Sequence, residues 1–183
     1  MMPQLIWKLK RKIAFIFFSP ENYARIMGVS IGRDCKIFTK NFGSEPYLIS
    51  IGNHVHITRG VEFMTHDGAV WVGRVKNPTL DCFGKIVIGD NCFIGNHVYI
   101  LPGIHVGSNC VVGACSVLTK SVPDGSVVAG NPARFICTTD DYISRMSSIS
   151  IATKKLSFSN KEEVIKSNLN SDSLILKRYI EIG

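Results

Sequence analysis

From residue 88 the chain divides into consecutive sixes: "IGDNCF", "IGNHVY", "ILPGIH", "VGSNCV", "VGACSV" and "LTKSVP". Each opens on an aliphatic residue, Ile88, Ile94, Ile100, Val106, Val112 and Leu118, and four of the six carry glycine second. The fifth place is again small or apolar: Cys92, Val98, Ile104, Cys110, Ser116 and Val122. A period of six drifts around a 3.6-residue helical turn and leaves no fixed apolar stripe, which excludes a helix. An antiparallel sandwich is excluded too, because the turns come too often and too evenly. A triangular parallel β-solenoid fits. Each hexapeptide forms one flat side with its aliphatic residue inward, and three sides complete a coil. On this reading the glycine eases the corner where the backbone bends.

The same pattern opens earlier, as "IGRDCK" at 31–36 and as "IGNHVH" and "ITRGVE" from 51 to 62. Two segments break the phase: 38–48, "FTKNFGSEPYL", and about 64–85, "MTHDGAVWVGRVKNPTLDCFGK". The repeat resumes after each, so both are expected to be excursions from a rigid rod. Long loops on rigid scaffolds are where binding and chemistry concentrate.

With 183 residues the chain is long enough to bury a real core, and 45% hydrophobic against 19% charged residues favours a folded chain over disorder. A net charge of +7 favours anionic partners, but no dense arginine or lysine run and no aromatic RNA-binding signature points to nucleic acid. Six cysteines without a C-x-x-C pair argue against zinc and redox patterns. Cys35, Cys92 and Cys110 occupy the fifth hexad place, where a small reduced hydrophobe is wanted, which suits a cytoplasmic protein. At the start, "IAFIFF" is too short to be a signal core or a membrane span. Ser19 and Pro20 read as cap and first residue of a short helix that Gly28 closes. A helix packed on the end of the main domain is expected there, with weak membrane-surface contact through Lys8, Lys10, Arg11 and Lys12 as the other reading.

The hexad run, the loop "THDGAVW" and the closing stretch "VLTKSVPDGSVVAGNPARFI" together resemble the hexapeptide-repeat acyltransferases over about residues 29–137. Within that family the chain looks most like the sugar O-acetyltransferases. The resemblance implies a left-handed parallel β-helix, a homotrimer, acetyl-CoA as co-substrate, and a sugar or polysaccharide hydroxyl as acceptor. Residues 1–28 form an N-terminal helical segment outside the match, and 138–183 read as a helical extension.

By the same resemblance His66 matches the catalytic histidine, and a positioned base contributes about 10²–10⁴ in rate. Taken alone, His66 with Asp67 and Gly68 reads more readily as a turn, since Asp-Gly is a common turn pair. Asp67 is expected to orient the imidazole, bind the sugar or simply form that turn, and Trp71 and Arg74 to shape the acceptor pocket. The carry-over for the cofactor points to Asn96, Ala114, Thr119, Lys120 and Arg134, the last two supplying charge for phosphates. Cys137 stands where relatives often carry a second basic residue. Glu45, in the first break, is a further residue expected to reach the acceptor, and His97 is the rival base. No metal is expected: a gamma-carbonic-anhydrase-like site needs three converging histidines, and Pro102 stands at the matching step after His97. A xenobiotic or amino-sugar acceptor and a non-catalytic scaffold remain as alternatives.

Overall fold

The computed structural model describes residues 2–171, 174 and 175. The strands gather into three ladders. One holds β1 (Ser30–Ile31), β3 (Ile49–Ile51), β6 (Ile86–Ile88) and β9 (His105–Val106). The second holds β2 (Lys36–Ile37), β4 (His56–Ile57), β7 (Phe93–Ile94), β10 (Val111–Val112), β12 (Ser126–Gly130) and β13 (Ala133–Thr138). The third holds β5 (Glu62–Phe63), β8 (Tyr99–Ile100) and β11 (Val117–Leu118). All pairings are parallel except β12 with β13, the hairpin that closes the stack. Partners such as Tyr99 and Val117 are 18 residues apart, three hexads, so each pairing joins one coil to the next.

The aliphatic residue at each hexad start is buried, and so is the fifth: Ile57, Ile94, Ile100 and Val106 are fully enclosed, with Val55, Val61 and Val98 beside them. These columns are the core. Cys92 and Cys110 belong to it, while Cys35 is half-buried, and all six cysteines are free thiols.

The glycines do a different job from the one expected. The left-handed corner falls on the fourth hexad place, at Asp34, His54, Asn91, His97, Asn109 and Cys115, with φ between 54° and 59°. Asn, Asp and His tolerate that region best among residues with a side chain. The second-place glycines instead permit close stacking of coils. A Cβ on Gly95 would sit 2.6 Å from the Ala114 nitrogen, and one on Gly89 would sit 2.8 Å from the Gly107 carbonyl carbon. They are there for lack of volume, not for bending.

The first break, 38–48, is not a true excursion. Ile31 pairs with Ile51, 20 residues on instead of 18, so the segment is only two residues longer than an ordinary side. It stays in the coil: Phe42 is buried and stacks on Phe63 at 5.4 Å, and Phe63 N donates to the Asn41 carbonyl. The second break is a real insertion, since Glu62 pairs with Tyr99, 37 residues on. Its base is zipped by a His66–Phe83 antiparallel bridge, by Asp67 N to the Cys82 carbonyl (2.9 Å) and by Gly84 N to the Thr65 carbonyl (2.9 Å). Between these lies a 3₁₀ segment, Gly68–Val75.

Two helices precede the coils, α1 (Met2–Phe17) and α2 (Pro20–Ile26). Ser19 caps α2 by accepting from Asn22 N, and Gly28 follows the helix at φ +97°. Tyr23 and Ala24 of α2 are buried with the coil core. The side chains of Lys8 and Lys10 lie outside what is described. The chain forms two compact units, Met1–Thr139 and Asp140–Gly183. Nearly all of α3 (Thr139–Ser148), and α4 (Phe158–Ser167), lie in the second, where Ser157 caps α4 and Glu162 pairs with Lys166 at 2.7 Å. The rest of the expected extension, 172–173 and 176–183, lies outside the described residues.

Candidate active site

His66 leaves the coil just after β5, at the corner where the third ladder turns towards the first. Its Nδ1 is 3.0 Å from the Ser44 hydroxyl and 3.6 Å from Glu45 Oε2. Ser44 Oγ donates its proton to Glu45 Oε2 at 2.9 Å, and Thr65 Oγ1 donates to the same oxygen at 2.8 Å. With its only hydrogen committed to the carboxylate, the Ser44 hydroxyl faces the imidazole as an acceptor. Nδ1 is therefore assigned as the N–H donor, which leaves a lone pair on Nε2. The Glu45 N–H in turn donates to Thr65 Oγ1 at 3.3 Å. Gly43 makes the approach possible: its φ is +68°, and a Cβ there would lie 2.7 Å from Thr65 Oγ1. His66 itself is exposed, while the Glu45 carboxylate is largely covered. The Nε2 edge lies beside Gly68, where an added Cβ would sit at 3.8 Å, an ordinary contact distance.

Asp67 points elsewhere. Its carboxylate accepts from Ala69 N at 2.9 Å and caps the 3₁₀ segment, so the group beside the imidazole is the Ser44–Glu45 pair. Trp71 is exposed on that segment, and Arg74 is tied within the loop to the Leu80 carbonyl and the Asp81 carboxylate. His97 occupies a left-handed corner with its ring against Gly60, where a Cβ would lie 2.3 Å from Nδ1. His54 bonds Asn91 at 2.8 Å, and His56 packs between Phe38 and Phe93.

The expected cofactor residues fall into two groups. Asn96 and Ala114 stack on the corner between the second and third ladders, where Cys115 N donates to the Asn96 carbonyl at 2.8 Å. Thr119 and Lys120 follow β11 on the same corner as His66, two coils away. At about 4.8 Å per coil that is roughly 10 Å. Lys120 and Arg134 line one cavity of about 480 Å³ with Ser121, Pro123 and Phe135. A second cavity, about 810 Å³, opens at the other end, lined by Phe15, Tyr23, Lys40, Asn41, Gly43 and Glu62 among others. The outer face of the third ladder, with Glu62, Tyr99 and Val117, runs between the two corners. Among the described residues no group of three or more His, Cys, Asp or Glu side chains could hold a metal.

Residues 85–120 match the family described as bacterial transferase hexapeptide (six repeats). Protein CapG of Staphylococcus aureus is 49% identical over 145 residues, covering 78% of this chain and 84% of CapG. The chain belongs to the hexapeptide-repeat acyltransferases. Galactoside O-acetyltransferase of Escherichia coli (strain K12) is 37% identical over 116 residues, 62% of this chain; the match spans 55% of that relative's length. A hexapeptide-repeat containing acetyltransferase of Vibrio cholerae, solved in complex with acetyl coenzyme A, superposes with a TM-score of 0.56. It is 30% identical over 61% of each chain.

For this acyltransferase, the sequence motif points to His66 and carries no sign of what surrounds it. Ser44 has no motif of its own, and Glu45, expected to reach the acceptor, lies 3.6 Å from His66 Nδ1. Both lie in a stretch without hexad phase, 21 and 22 residues before His66. What unites them is coil closure, which brings 38–48 beside 63–66. The one local signal was Gly43, in a segment otherwise free of glycine.

Proposed function

We propose that the chain is an acetyl-CoA-dependent O-acetyltransferase acting on a hydroxyl of a sugar or polysaccharide. The arrangement of Ser44, Glu45 and His66 is the observation that carries this reading. A carboxylate and a hydroxyl hold Nδ1 as a donor, so Nε2 is the free base. It removes the acceptor's proton as the oxygen attacks the thioester carbonyl, and the proton then passes to the departing coenzyme A thiolate. The Glu45 carboxylate stabilises the imidazolium that forms between those steps. No acyl-enzyme is needed, because alignment of two bound substrates supplies much of the rate.

The coils wind as a left-handed β-helix, and the chain assembles as a homotrimer whose neighbours complete each groove. Coenzyme A enters from the closing end: Lys120 and Arg134 meet its phosphates in the 480 Å³ cavity. Thr119, Asn96 and Ala114 offer backbone and small polar groups to the pantetheine arm. The acceptor enters from the opposite end, past the 810 Å³ cavity that Gly43 helps to line. Asp67 and Trp71, on the loop beside His66, border the acceptor. The match to galactoside O-acetyltransferase supports a glycan acceptor over a xenobiotic.

The test is thiol release from acetyl-CoA across a panel of sugars and oligosaccharides, comparing wild type with His66→Ala. Acceptor-dependent release that falls by about 10²–10⁴ in the variant is expected. Undiminished release would move the base elsewhere, and His97 would be next. Failure to bind coenzyme A at all would overturn the reading.

A further inference from the structure

Helix α1 is held to the body on one side only. Ala14 is buried, Phe15 meets Tyr23 edge-to-face at 5.5 Å, and Lys40 donates to the Phe15 carbonyl while lying over its ring. About a third of a turn round the helix from Ala14 runs a second apolar stripe that no described residue covers. Leu9, Ile13, Ile16 and Phe17 recur at i, i+4, i+7 and i+8, and are 59%, 45%, 70% and 77% exposed. A helix packed only on its own domain has no use for such a stripe.

The charges around it are of one sign. Arg11 and Lys12 are exposed on the same helix, the sequence adds Lys8 and Lys10, and no Asp or Glu occurs before Glu21. Sixteen residues span about 24 Å, short of the roughly 30 Å of a bilayer core, and no described helix is long and apolar enough to cross a membrane. A uncovered apolar stripe flanked by cations, too short to span, has the make-up of a helix that lies in a lipid–water interface. A second copy of the chain is a poorer occupant, because pairing the same helices sets these cations against each other.

We propose that α1 docks the protein on an anionic lipid surface, with Leu9, Ile13, Ile16 and Phe17 entering the interface and the positive charge of the segment drawing it to the headgroups. Leu9 and Ile16 also line the 810 Å³ cavity, so the lipid-facing side borders it. The proposal is independent of the acyl-transfer reading and is tested without it.

The experiment is co-sedimentation of the full chain with vesicles of phosphatidylcholine, with and without phosphatidylglycerol, at low and high salt. Each cation near an anionic surface contributes about fivefold in affinity, so binding at least tenfold tighter to the anionic vesicles, lost at high salt, is expected. Ile13→Ser with Phe17→Ser, at exposed positions outside the lining of the 810 Å³ cavity, is expected to weaken binding by about tenfold or more. The variant should keep its oligomeric size and its coenzyme A binding. Equal binding to neutral vesicles, no binding to anionic ones, or undiminished binding by the double variant each overturns the proposal. So does a smaller assembly in the double variant, which would make the stripe a contact between copies. Should that variant misfold, the lipid and salt dependence of the wild type decides alone.

Discussion

The Ser44 hydroxyl stands 3.0 Å from Nδ1 of His66, across 22 residues of sequence, with its own proton turned to Glu45. That direction of donation sets the tautomer of the imidazole. Ser44→Ala removes the acceptor that holds Nδ1–H, and Glu45→Gln removes the charge that balances the imidazolium. Both act through His66, so kcat should fall by about 10–10⁴ with little change in KM for acetyl-CoA. The pH profile separates positioning from mere structure: removing the Glu45 carboxylate should move the low-pH limb of kcat/KM, where the base becomes protonated, to lower pH. An unchanged profile with normal kcat would remove Glu45 from the mechanism.

How much of this was legible before the structure depends on the repeat. Wherever hexad phase holds, one periodicity dictates side, coil and core, and Ile94, Val98 and Ile100 stand buried as the pattern requires. Glycine was assigned to bending because glycine commonly relieves positive φ, yet the corner falls two places later on Asn91, His97 and Cys115. A linear pattern shows which place is glycine but not which neighbouring coil presses on it. Of the candidate site, only His66 stands inside a motif. Its partners come from another coil, and proximity between coils is not written in either segment alone.

Lys120 and Arg134 share the 480 Å³ cavity at the closing end. A charge-assisted hydrogen bond contributes about 1.5–3 kcal/mol, roughly tenfold to a hundredfold in affinity. Lys120→Ala and Arg134→Ala should each raise KM for acetyl-CoA by that order while leaving kcat nearly intact. Dephospho-coenzyme A offers the discriminating comparison. The residue that meets the ribose phosphate should show a smaller penalty with the shortened cofactor.

Gly89 tests the stacking role of the second hexad place away from the chemistry. In Gly89→Ala the new Cβ would lie 2.8 Å from the Gly107 carbonyl carbon, a backbone atom that cannot rotate aside. Overpacking of this kind costs about 1–3 kcal/mol, so the melting midpoint should drop by about 2–12 °C. Gly103→Ala should behave differently. Its Cβ meets nothing within 4 Å, and the cost there comes from φ at +81° alone.

The stacked thiols bear on alkaline stability. A hydrogen bond to Cys110, and burial, push the Cys92 thiol above its ordinary value of 9.0. The folded chain thus keeps a proton that the unfolded chain releases, so this group's stability is full below pH 9 and declines above it. The slope approaches about 1.4 kcal/mol per pH unit. The same contact lowers Cys110 to about 7, which adds stability between pH 7 and 9, so denaturant midpoints should fall only above pH 9, and Cys92→Ala should remove that fall. Alkylation followed by mass spectrometry should label Cys82 and Cys115 first, because both are exposed, and Cys92 only on unfolding.

Cys115 separates direct transfer from an acyl-cysteine route. It is exposed on the corner above Asn96, close to the proposed path of the thioester arm, and it holds a left-handed φ of 59°. A side chain in that region costs about 1–2 kcal/mol, while glycine there costs only its extra chain entropy. Cys115→Gly should therefore leave stability unchanged or raise it by up to about 1 kcal/mol, visible as a higher melting midpoint. Direct attack also requires that the variant retain acetyl transfer within about twofold, since no bond to this sulfur forms along the route. Loss of activity with the midpoint unchanged or higher would mean that the thiol carries the acetyl group, and His66 would then serve Cys115 instead of the acceptor hydroxyl.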